Sequence, residues 1–212
     1  MKKIIFVFFV ILFSITSVYA FENEYFKIYI PNGYEIETND DDNRIFKWTN
    51  NDDYIVVTVD NNDNKYSVKD YTENDILNQK KYLEQNINTA LEEYNVDVNV
   101  SKIFKNKIGD YYYSLQYDLY WPTKEITGKD TYQRGNVFTT GKYIITYLYS
   151  SESEINDDNE VYNNTINSFK ILDETEIKKE LTIDISFIII VGVVLAILSF
   201  ILSEIKKKKA TK

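Results

Sequence analysis

The chain contains no cysteine and no histidine. Without thiols it can form no disulfide, no thiolate metal site, no thiol nucleophile and no lipid-modified cysteine behind a leader peptide. Without imidazole it lacks the usual general base near neutral pH, the usual zinc ligand and the means for a Ser-His-Asp triad. Any catalysis would rest on carboxylates, Lys, Tyr or bound cations. Two further absences bear on attachment and architecture: no sortase-type Leu-Pro motif stands before the C-terminal hydrophobic run, and no internal repeat is apparent.

What the chain does have is a hydrophobic segment at each end. Lys2 and Lys3 precede an apolar run over residues 4–15, and Val18 and Ala20 supply the small positions of a secretory signal, so cleavage is expected after Ala20. Residues 185–202 form an uninterrupted run of 18, which as a helix reaches about 27 Å, close to a hydrocarbon core of roughly 30 Å. Lys206, Lys207, Lys208 and Lys209 follow it. The expected organisation is a signal peptide (1–20), an extracytoplasmic α+β domain (21–171), a juxtamembrane linker (172–182), a transmembrane helix (183–203) and a basic cytoplasmic tail (204–212).

Charge supports that orientation. Residues 21–182 hold 17 Lys/Arg and 31 Asp/Glu, a balance of −14, while the two ends together hold 7 and 2, a balance of +5. Lysines beside a membrane segment stay on the cytoplasmic side, so the tail is expected inside and the acidic body outside. A body of this sign is repelled by nucleic acid and by anionic lipid surfaces. A domain of about 160 residues buries a sufficient core without disulfides.

Within the body the apolar period switches between two and 3.6. Phe26, Ile28 and Ile30 alternate, and Pro31-Asn32-Gly33 supplies a turn. Residues 44–48 and 54–60 read as short strands joined through Asn50-Asn51-Asp52-Asp53, the second β-branched enough to be covered on both faces. Thr72 reads as an N-cap, with a helix to residue 93 or 94 whose inward face carries Ile76, Leu77, Leu83, Ile87, Ala90, Leu91 and Tyr94, and whose outward face carries Gln79. Residues 96–104 and 110–121 are strands. In the second, Tyr111, Tyr113, Leu115, Tyr117, Leu119 and Trp121 are expected in the core, and Ser114, Gln116 and Asp118 on a polar, exposed face. Residues 123–135 read as a loop with a strand starting near Tyr132, residues 142–150 as the last strand, and residues 158–169 as a final helix.

The opening Phe26-Lys27-Ile28-Tyr29-Ile30-Pro31-Asn32-Gly33-Tyr34 and the ending Thr165-Ile166-Asn167-Ser168-Phe169-Lys170-Ile171 resemble the Mog1/PsbP-like α/β/α sandwich family of small exported proteins. The resemblance covers roughly residues 24–171. It implies a central antiparallel sheet with helices packed on it, and a class of binding or accessory modules without a catalytic motif.

Candidate sites are few. Asp60, Asn62 and Asn64 stand where a calcium loop places its first three ligands, but Lys65 replaces the glycine and Tyr71 the terminal glutamate, which makes a weak metal site or an ordinary polar loop. Asp118 is the best single carboxylate for hydrolysis, set between Tyr117 and Leu119, although no facing acid is evident. Tyr112 and Tyr120 offer aromatic area beside polar groups and are the candidate partner surface. Asn99-Val100-Ser101 and Asn163-Asn164-Thr165 match glycosylation sequons in an Asn-rich chain. The expectation is a single-pass, membrane-anchored, extracytoplasmic binding or accessory module, non-enzymatic, without cofactor, with the membrane and a protein as partners and no nucleic acid. A carboxylate-dependent hydrolase or carbohydrate-binding protein and a weak cation-responsive module are the alternatives.

Overall fold

The computed structural model describes residues 19–40, 44–90, 96–109 and 112–173. The expected signal segment up to residue 18 and the C-terminal hydrophobic run lie outside the described residues. Among the described residues no helix is long and apolar enough to cross a membrane.

The element order is β1 (Tyr19–Glu22), β2 (Phe26–Ile30), β3 (Glu35–Asp40), β4 (Ile45–Asn50), β5 (Asp53–Asn61), a 3₁₀ turn (Val68–Asp70) and α1 (Glu73–Ala90). It continues with β6 (Asn99–Ile108), β7 (Tyr112–Trp121), α2 (Lys124–Thr127), β8 (Thr131–Thr139), β9 (Tyr143–Ser151), α3 (Glu160–Ser168) and β10 (Lys170–Ile171). Seven strands form one antiparallel sheet in the order β3-β4-β5-β9-β8-β7-β6, and β1-β2-β10 form a smaller one. This is the antiparallel α+β arrangement expected.

Both faces of the large sheet are covered. Alternate residues of β7 and β9, such as Leu115, Tyr117, Leu119, Ile144 and Leu148, pack with Leu83 and Ile87 of α1. The intervening residues of β9, Ile145, Tyr147 and Tyr149, pack with Phe26 and Ile28 of the small sheet and with Tyr162 and Ile166 of α3. The two short motifs at the ends of the domain meet in this second layer. Phe169 stacks between Phe26 at 5.4 Å and Phe138 at 5.2 Å, the Tyr29 amide donates to Ser168 Oγ at 2.9 Å, and Ile171 pairs with Phe26.

That second layer corrects the reading of β7. The odd residues from Leu115 to Trp121 are core, as their alternation predicts, but Ser114 and Gln116 are buried as well, at 0% and 5% exposure. They join a closed polar network: Ser114 Oγ donates to Asn136 Oδ1, Asn136 Nδ2 to the Tyr162 hydroxyl, and that hydroxyl to Gln116 Oε1. Tyr113, expected inside, is exposed. Opposite Tyr117, Gly135 leaves room for the tyrosine ring, because a Cβ there would fall inside it.

α1 begins where Thr72 predicts. Asp75 Oδ2 accepts from the Thr72 amide at 2.8 Å and its hydroxyl at 2.7 Å, while the Asp75 amide donates back to Thr72 Oγ1. These bonds hold the Asp75 carboxyl below its usual range. Its inward face differs from expectation: Leu77 is exposed at 58% and Gln79 is buried. At about 100° per residue, Leu77 sits about 100° from Ile76, whereas Gln79 sits only about 60° away on the other side, beside Leu83. The expected end at residue 93 or 94 lies outside the described residues.

Three strands, β1, β3 and β10, fall outside the sequence expectation. β3 is a polar edge strand with a bulge between Ile36 and Thr38, and β10 is two residues long. The loop expected over 123–131 contains the short α2, closed by Gly128 at φ 96. β1 starts before the expected cleavage point, and Phe21 and Glu22 pair with Ile28 and Lys27.

Candidate functional site

β7 and β8 place Asp118 and Arg134 directly opposite each other. Arg134 is one of two arginines in the chain, and its guanidinium is almost fully buried. Its Nε donates to Asp118 Oδ1 at 2.7 Å and its Nη2 to Asp118 Oδ2 at 2.8 Å, a planar fork on a carboxylate. The remaining donors reach the loop before α3: Nη2 to the Ile155 carbonyl at 3.0 Å and Nη1 to that of Asn156 at 3.2 Å. Asp157 Oδ1 lies 3.3 Å from Nη2, and the guanidinium sits over the Tyr162 ring at 5.2 Å. One side chain thus ties two strands, a loop and a helix together.

This anchor forms one wall of a cleft of about 590 Å³. Asn99, Ser101 and Lys102 of β6 line one side, Asp118 and Tyr120 of β7 the floor, and residues 154–157 the other side. Tyr132 of β8 completes the floor, its ring 5.2 Å from that of Tyr120. The Tyr120 hydroxyl donates to Asp130 Oδ2 at 3.2 Å, which fixes the ring. Lys102 approaches Asp157 at 3.9 Å across the opening. The surface presents an aromatic pair, amides, a hydroxyl and charges of both signs, a set suited to binding by stacking and hydrogen bonds.

The structure places the sequence candidates in different surroundings. Tyr120 lies in the cleft, whereas Tyr112 stands at the other end of β7, about 27 Å away along the strand, with its hydroxyl donating to the Ile171 carbonyl at 3.3 Å. Asp118 is held in the fork by both oxygens, so its role is to orient Arg134. Asn62 is buried and turns its amide inward, donating to the Tyr66 and Thr140 carbonyls at 2.9 and 2.7 Å and accepting from the Tyr66 amide at 2.8 Å. Asn64 is exposed. Asp60 is half-buried on β5; burial pushes its carboxyl up, opposed by the Arg44 charge. Lys65 takes the left-handed conformation, φ 56, that a calcium loop gives to glycine, and its ammonium donates to the Gly141 carbonyl at 2.8 Å. Among the described residues no group of three or more carboxylates is placed to hold a metal ion.

Tyr132, which lines the cleft, and Arg134, which holds the lining residues Asp118, Ile155 and Asn156 in place, are not among the sequence candidates. The signal that points to Arg134 is its rarity, one of two arginines in the chain, at a position inside a strand between Gln133 and Gly135.

No family model and no curated protein matches the chain. Among solved structures it is similar to the solution structure of cyanobacterial PsbP (CyanoP) from Synechocystis sp. PCC 6803, at 12% identity over 74% of this chain and 94% of that one, with a TM-score of 0.48. It is also similar to a crystal structure from Bacteroides thetaiotaomicron VPI-5482, at 10% identity and a TM-score of 0.42, covering 70% of this chain and 46% of that one. The first of these is a PsbP, of the same kind as the family that the two ends of the domain resemble.

Proposed function

We propose that the chain is a single-pass, membrane-anchored accessory protein whose extracytoplasmic domain holds a protein partner close to the membrane without catalysing a reaction. The observation that supports this reading is the cleft beside Arg134. Its wall is fixed by the fork to Asp118 and the two loop carbonyls, so a ligand meets a surface that is already ordered and pays little to organise it. Tyr120 and Tyr132 supply the aromatic area that binding surfaces favour. The hydrophobic ends and their lysines supply the address.

A photo-crosslinking residue introduced at Lys102, on the rim, tests the reading in intact membranes. One defined adduct, weakened by Tyr120→Ala, is expected, and a residue placed at Leu77 on the exposed side of α1 should give none. Equal labelling from both positions would remove the cleft from consideration. Protease added outside should digest the body and leave a small membrane stub; a protected body, with a known external protein digested, would overturn the topology.

A second reading, carbohydrate binding, draws on the same tyrosine pair flanked by Asn99, Ser101 and Asn156. Calorimetric titration with oligosaccharides separates the two. Heat that vanishes in Tyr132→Ala would favour the sugar.

A further inference from the structure

The two edges of the large sheet are opposite in charge. β3 carries Glu35, Glu37 and Asp40 and no basic residue, and β6 carries Lys102, Lys105 and Lys107 and no acidic one. Lysines on a free edge ordinarily discourage pairing, because the next edge they meet is apolar or equally basic. Here the second edge of the same molecule is acidic. Glu37 already meets Lys47 at 2.8 Å, whereas Lys105 donates to the uncharged carbonyls of Lys69 and Tyr71 and, among the described residues, forms no ion pair.

The edges also agree in direction and in face. Six antiparallel steps separate β3 from β6, so the two strands run the same way. Cross-strand partners link Ile36 to Trp48 and Phe104 to Gln116, both on the face covered by α3 and the small sheet. Ile36 is 51% exposed and Phe104 40%, so each edge offers one bare apolar side chain on that face. Followed from strand to strand, the register puts Asp40 in the same row as Lys105.

The geometry points to a second copy of this chain as the occupant of these edges, with β3 of one copy lying beside β6 of the next, parallel and in the same facing. The alternative of like edges meeting about a two-fold axis would bring two lysine-bearing edges, or two acidic ones, together, and like charges facing each other are destabilising. Charge therefore selects unlike edges, a heterologous contact. The bulges in both strands shorten the paired stretch, which makes this a weak and salt-sensitive contact.

The absence of cysteine makes the test clean. Full-length protein in detergent micelles is prepared as Ile36→Cys and as Phe104→Cys, and treated with a bis-maleimide linker. Side by side without slip, the two positions are about 8 Å apart, from a strand spacing of about 4.8 Å and two residues along the strand. Within one chain they lie on opposite edges and cannot be bridged. A covalent dimer is expected from the mixture and not from either variant alone. Its yield should fall about fivefold in Lys107→Glu and be kept in Lys107→Arg, and should fall as salt is raised. No dimer in the mixture, an equal dimer from Phe104→Cys alone, or indifference to Lys107→Glu would overturn the inference.

Discussion

Arg134 concentrates the consequences of single substitutions. Asp118→Asn keeps the shape of the fork but leaves a buried guanidinium with only the exposed Asp157 as counter-charge, and breaking a buried pair in this way costs about 3–5 kcal/mol. Urea denaturation of the domain should show that loss, together with greater protease sensitivity in residues 154–157, which the same side chain holds. Asp60 should behave in the opposite sense. Burial raises its pKa, with Arg44 opposing, so its folded form prefers the proton. The stability it contributes is present below its unfolded pKa and lost as pH rises through the folded one, so at neutral pH the ionised group is a burden. Asp60→Asn, which mimics the protonated acid, should stabilise the domain at pH 7 by about 1 kcal/mol or less and have little effect at pH 3. Destabilisation at pH 7 that calcium reverses in the parent protein would instead restore the cation reading.

At the scale of elements, β7 separates what alternation can tell from what it cannot. Leu119→Ala should cost about 2–5 kcal/mol through lost burial and the cavity left behind. Gln116→Ala, harmless if that face met water, should cost about 1–3 kcal/mol, because its carbonyl accepts from both Asn106 and Tyr162. The period of two in β7 and the 3.6 period of α1 are legible because apolar side chains repeat there. That a polar face is also covered depends on α3 and the small sheet arriving from distant parts of the chain, which no local pattern records. β3 is hidden for a related reason: Glu-Ile-Glu-Thr-Asn-Asp has one apolar residue, and that residue is exposed. β10 is too short to carry any period. The cleft is half visible in the sequence, through Tyr120 and Asp118, whereas Tyr132 enters it, and Arg134 comes to brace its wall from behind, only by the register of β8 against β7.

The whole molecule stores tyrosine hydroxyls in its second layer. Burial pushes Tyr149 and Tyr162 up to about 12 and also raises Tyr34 and Tyr147 well above the ordinary value. Unfolded, each would ionise near the ordinary tyrosine value of 10.0. The folded state therefore keeps protons that the unfolded state gives up, so stability is whole below about pH 10 and falls as pH rises toward about 12. Thermal melts at pH 8, 10 and 11 should show Tm dropping only across the last interval. Absorbance near the tyrosinate band should rise in step with unfolding rather than before it for the buried fraction. A flat Tm to pH 11 would mean that these rings ionise in place.

The way the chain leaves the domain has a mechanical meaning. Tension on a C-terminal tether would load, in turn, the Asp173 contacts to Thr140 and Lys142, the Leu172 amide on the Tyr25 carbonyl, and the two residues of β10 on β2. Behind that short catch sits Phe169, lodged between Phe26 and Phe138. A pull strong enough to peel β10 would draw this ring from its slot while the seven-stranded sheet stayed intact. In a domain anchored as proposed, strain in the tether would be converted into a newly bared aromatic surface.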